Sequence, residues 1–220
     1  MKLFSVKSVP IVSWSSDHPL DFRPRILTLC ILFIGLMIFG IGEALLIASG
    51  AGNSPWTVLS QGVSEISGWT IGVTTFLTSL AVLLLWIPLK QTPGIGTILN
   101  AVIISIAIEL ALPHLPQPDN YLLQVSEVAF GILLVGFGSG LYLIANLGPG
   151  PRDGLMTGLQ RAANLPVARV RTAIEITVVL FGWLLGGTVG LGTLMFAFGI
   201  GPAVSYGEHK RSEERSVHRN

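Results

Sequence analysis

Charge is scarce in this 220-residue chain: 13 Lys and Arg with 12 Asp and Glu make up 11% of it, against 50% hydrophobic residues and a mean hydropathy of +0.69. A soluble domain carries about a quarter charged residues, so the solvent for most of this chain is lipid. Histidine is scarcer still. His18, His114, His209 and His218 all lie in the termini or in a polar link, leaving none within an apolar span to activate a nucleophile or to build a metal cluster. The single cysteine, Cys30, sits in an apolar run and excludes an internal disulfide. No phosphate-cradling loop or nucleotide fingerprint occurs, and no basic stretch is interleaved with aromatics as nucleic-acid binding requires. These absences argue against an enzyme, a cofactor and a nucleic-acid partner. Residues 1–25 lack the continuous apolar core of a signal peptide and are expected to form a cytoplasmic arm.

What the chain does have is apolar runs. Residues 26–49, 70–89, 95–112, 122–145, 167–185 and 189–206 are each expected to span a bilayer core of about 30 Å at 1.5 Å per residue, and residues 207–220 form a charged tail. With the N-terminus inside, all 13 Lys and Arg fall in inner segments. The outer segments 50–69, 113–121 and 186–188 have none, which satisfies the positive-inside rule and puts both termini in the cytoplasm. The expected location is the bacterial cytoplasmic membrane.

Glycine and proline cluster most densely between Gly136 and Gly158. Gly40, Gly42, Leu45, Gly52, Pro55, Leu59 and Gly62 each have an identical residue 96 positions later, and Gly94-Ile-Gly96-Thr97 faces Gly190-Leu-Gly192-Thr193 at the same offset. The chain reads as a duplication, with repeats 26–112 and 122–206 divided by a proline-rich link. Three spans per repeat is an odd number, so the second repeat is expected upside down relative to the first, a common transporter architecture. The fold class expected is an all-α membrane domain over 26–206: six transmembrane helices in two inverted repeats, each with a short extra helix.

The run Gly-Leu-Tyr142 … Leu-Gly148-Pro-Gly-Pro-Arg-Asp-Gly-Leu-Met-Thr-Gly158, followed by Arg169-Val-Arg171-Thr-Ala-Ile-Glu175 and Gly186-Gly-Thr-Val-Gly-Leu-Gly-Thr193, resembles the YczE-type bacterial integral membrane proteins and their YyaS and YitT relatives. The similarity covers roughly residues 31–206. It implies a multi-pass inner-membrane protein suspected of transport, with no established biochemical activity. Such proteins carry Pro-Trp-Asp in the first repeat where this chain has Pro55-Trp56-Thr57, so a symmetric acidic pair at that motif is not implied here.

The candidate pathway residues are Glu43, Gly52, Pro55, Gly148, Pro151, Arg152, Asp153, Arg171 and Glu175. The Gly52–Pro55 and Gly148–Pro151 turns each precede about thirteen residues of amphipathic helix, either re-entrant with its amide end aimed at a polar solute or flat at the interface. Glu43 and Glu175 are acids inside apolar spans, where an uncompensated charge costs about 3 kcal/mol or more. Arg171 stands four residues before Glu175 and offers an ion pair, whereas Glu43 has no local partner. Arg152 and Asp153 either neutralise each other or line an inner vestibule. Gly136, Gly138 and Gly140 invite close approach of a neighbouring backbone. Trp56, Tyr142, Trp183 and Tyr206 read as interfacial anchors.

Two functions fit: a permease or exporter of an unidentified small solute, or a non-transporting scaffold that assists a secretory or biosynthetic assembly. The partners expected are the bilayer, that solute and, through the glycine-rich faces, a second copy or another membrane protein.

Overall fold

The computed structural model describes residues 14–16 and 18–200; the tail 207–220 and the last part of the sixth expected span lie outside them. Among the described residues every regular element is helical. They run α1 (Ile26–Ser49), α2 (Pro55–Ser67), α3 (Ile71–Trp86), α4 (Ile95–Ala111) with a 3₁₀ turn at Leu112–His114, α5 (Tyr121–Ala145), α6 (Pro151–Ala163) and α7 (Val167–Leu184), then an apolar helix α8 described over Leu191–Ile200.

Local chemistry fixes these boundaries. Pro55 and Pro151 open α2 and α6, where a missing N–H costs nothing and φ is preset. Pro88 stops α3 short of the expected residue 89. Left-handed residues close α1 and α5 at Gly50 and Asn146, and close α2 and α6 at Gly68 and Asn164. These caps, like the helix starts they precede, recur 96 residues apart.

α1 packs most extensively against α5. A side chain at Gly35 would meet Leu141 and the Gly138 carbonyl, while one at Gly42 would meet the Gly131 carbonyl and Val135. Numbers rise along α1 as they fall along α5, so the two helices run antiparallel with their backbones in close contact, as small residues permit in lipid. Gly140 takes no part in this crossing, contrary to expectation: among the described residues nothing lies within 4 Å of the position its Cβ would take.

Two junctions then tie the halves of the chain together. The Gly96 N–H donates to the Leu147 carbonyl (2.7 Å), and the Gly192 N–H donates to the Ala51 carbonyl (2.9 Å). Each bond satisfies an amide left free at a helix start with a carbonyl from the other half. Ser16 and Pro19 reach the first junction: the Ser16 N–H donates to the Ala145 carbonyl and Asn146 Nδ2 to the Ser16 carbonyl, and the Pro19 carbonyl lies beside Gly94.

By length and composition α1, α4 with its 3₁₀ turn, and α5 are each long and apolar enough to cross a membrane, and α2 with α3 makes a fourth, bent by 116° at the break. The hydropathy reading of six spans differs for physical reasons. α3 has 16 residues, about 24 Å, and α7 carries Arg169, Arg171 and Glu175. The outer surface is strongly apolar, with Phe33, Ile34, Leu84, Phe130, Leu133 and Phe181 all exposed; in water this band would aggregate, whereas lipid accepts it.

Candidate functional site

α1 ends at Ser49, yet Ser54 hydrogen-bonds Glu43, six residues before that end. At 1.5 Å per residue the chain has turned back along α1 by about 9 Å before α2 begins. The second half repeats the manoeuvre: Tyr142, three residues before the end of α5, donates from its hydroxyl to Asp153 Oδ2 in the first turn of α6 (2.5 Å). Both short helices therefore start beside the body of a long helix, and both starts open on one cavity of about 380 Å³. All eight helices of the described residues contribute to its wall.

Glu43 is fully buried. Its carboxylate accepts from Ser54 Oγ (2.8 Å) and Thr57 Oγ1 (2.8 Å), while Ser54 Oγ also lies 3.0 Å from Thr57 Oγ1. The acid without a local partner thus acquires two hydroxyls at the positive end of α2, which accounts for its burial. Asp153 stands in the cavity wall and Arg152 beside it, but they do not pair. Among the described residues the Arg152 guanidinium makes no hydrogen bond or ion pair; its Cζ lies 5.5 Å from the centre of the Trp56 ring, within cation–π range. Glu43 and Asp153 are the acids acting on it electrostatically. Arg171 and Glu175 form the expected i,i+4 ion pair, Nε to Oε1 at 2.8 Å, on the same wall.

The structure thus gathers Pro55, Arg152, Asp153, Arg171 and Glu175 on the cavity, with Glu43 directly behind Ser54. Gly52 and Gly148 do not line it. They have φ of 119° and 110°, which favour glycine, and they seat the starts of the opposite half's last helix: Gly52 against Gly190 and Thr193, Gly148 against Gly94 and Thr97. Pro151 contributes its carbonyl, which accepts from Trp86 Nε1 (2.9 Å).

Two expectations are corrected. Trp56 and Tyr142 are not interfacial anchors; they are 6% and 5% exposed and line the cavity, because the turn before α2 carries Trp56 inward and Tyr142 faces α6. Trp183 is exposed, and Tyr206 lies outside the described residues. Sequence reasoning missed Ser54, Thr57 and Thr75 as site residues. Thr57 sits 96 residues before Asp153, which was signal enough to find it.

The matched family profile, a family of unknown function (DUF6198), covers residues 26–209. An uncharacterized protein of Haemophilus influenzae is 43% identical over 201 residues, 91% of each chain. The uncharacterized membrane protein YczE of Bacillus subtilis is 33% identical over 167 residues, 75% of this chain and 78% of its own. The uncharacterized protein YyaS of the same organism is 27% identical over 166 residues, 74% and 83% of the two chains. No solved structure matches. The apolar helices, the exposed apolar band and these relatives agree on a membrane protein, and the chain belongs to the YczE-type family.

Proposed function

We propose that this protein is a permease or exporter of a small solute in the bacterial cytoplasmic membrane, built as six spans in two inverted repeats with both termini in the cytoplasm and no catalytic step of its own. The carrying observation is the shared cavity: Ser54, Pro55 and Trp56 from the start of α2 and Gly150, Arg152 and Asp153 from the start of α6 line a single space. Inverted-repeat transporters place their sites where broken helices of the two halves meet. The antiparallel crossing of α1 and α5 and the 96-residue recurrence of helix starts and caps support the same arrangement. Irregular backbone at membrane depth is tolerated where it lines such a cavity, and about 380 Å³ falls within the range of small-molecule sites.

The test is counterflow of pooled radiolabelled metabolites in proteoliposomes holding the full chain. Ser139→Trp, which fills the cavity from α5 while breaking only a hydroxyl bond to the Val135 carbonyl, should abolish flux in a folded protein. Absence of flux across a broad solute pool, together with stable co-purification of a membrane partner, would favour the scaffold instead.

A further inference from the structure

Arg152 and Asp153 are adjacent, oppositely charged residues that line one cavity without forming an ion pair with each other. Neighbours on a helix point about 100° apart, so each faces its own part of the space. The needs of the two sides differ. On one, the Arg152 guanidinium and Nε1 of Trp56 (6% exposed), whose ring it faces, have donors without acceptors among the described residues; elsewhere in the wall Oγ1 of Thr75 (2% exposed) has no hydrogen-bond partner among them either. On the other, Asp153 Oδ2 is taken by Tyr142, and among the described residues Oδ1 accepts nothing. Arg171 and Glu175 satisfy one another.

From this geometry we infer that the cavity binds a small zwitterion with an apolar body, an aliphatic or aromatic α-amino acid, its carboxylate on Arg152 and its ammonium on Asp153. A zwitterion gives the Arg152 guanidinium an acceptor and Asp153 Oδ1 a donor at once, whereas a singly charged solute leaves one of the two without a partner. Phe39, Ile104, Val135 and Phe196 supply the apolar wall for its side chain. This inference rests on reading the cavity as a solute site.

The experiment is calorimetric titration of the full chain in lipid nanodiscs with L-leucine and L-phenylalanine, and with two analogues of leucine that each lack one charge, L-leucinamide and 4-methylpentanoate. At least one amino acid should bind, and each analogue should bind about ten-fold or more weakly than leucine, as loss of a charge-assisted hydrogen bond predicts. Arg152→Gln should remove the discrimination against the amide, and Asp153→Asn the discrimination against the deaminated acid; if either variant misfolds, the ligand series on the unaltered protein still decides. Equal binding of a singly charged analogue, or no binding of either amino acid to folded protein, overturns the inference. Counterflow separates the two readings. Amino-acid binding without flux of any solute removes the permease and keeps the site, whereas flux of other solutes without amino-acid binding keeps the permease and removes the zwitterion.

Discussion

Thr57 Oγ1 on α2 donates to Glu43 Oε2 on α1 at 2.8 Å, and its positional counterpart 96 residues later, Asp153 on α6, accepts from Tyr142 on α5 at 2.5 Å. Each half of the chain thus sets one acid–hydroxyl pair at the start of its short helix, with the two roles exchanged between the long and the short helix. The acid missing at position 57 is supplied from α1.

Glu43→Gln preserves an acceptor for Ser54 and Thr57, so melting should change little while solute flux is lost. Glu43→Leu strips both buried hydroxyls of their acceptor, at about 1–3 kcal/mol each, and should lower the melting temperature clearly. Thermal denaturation paired with flux in proteoliposomes checks both. A fully active Glu43→Gln protein would reduce this acid to a helix anchor.

The distribution of basic residues predicts sidedness. In a background with Cys30 replaced by Ser, a cysteine at Asp119 should react with an impermeant maleimide added to intact cells, and one at Arg161 only after permeabilisation. External labelling at Arg161 would overturn the proposed orientation.

Glycine positions divide by the space around them. A Cβ at Gly138 would sit 2.6 Å from the Gly35 carbonyl oxygen, whereas at Gly140 nothing among the described residues lies within 4 Å. Gly138→Ala should force α1 and α5 apart and lower stability, while Gly140→Ala should be neutral or stabilising by up to about 1 kcal/mol. Melting temperatures of the two purified variants give the comparison directly.

Gly52→Val and Gly148→Val should be comparably damaging although the turns stand in different halves of the chain. Each places a β-branched residue at positive φ and drives it into the partner helix start, with a Cβ 2.6 Å from the Gly190 nitrogen in one case and 2.7 Å from Thr97 Oγ1 in the other. Yield of monodisperse protein after extraction is the readout, and near-normal yield from either variant contradicts the junction described.

Trp86 lies across α6, where a Cβ at Gly154 would strike its ring, and donates to the Pro151 carbonyl. Trp86→Phe should cost about 1 kcal/mol for the hydrogen bond, and Trp86→Ala about 3–5 kcal/mol for the void; equal melting of the two variants would contradict that placement.

Hydropathy and charge are carried residue by residue, so the sequence by itself determined the lipid setting, most helix boundaries, the expected sidedness and the 96-residue recurrence. Proline, glycine and asparagine at helix ends act locally and were equally legible. The Arg171–Glu175 pair was legible because one helix turn brings its members together. The partners of Glu43, the burial of Trp56 and Tyr142, and the separate fates of Arg152 and Asp153 were decided only by the tertiary structure. They depend on how far the chain folds back along α1 and α5 and on which face of α6 meets α3, and such distances arise from packing between segments, which no local propensity encodes.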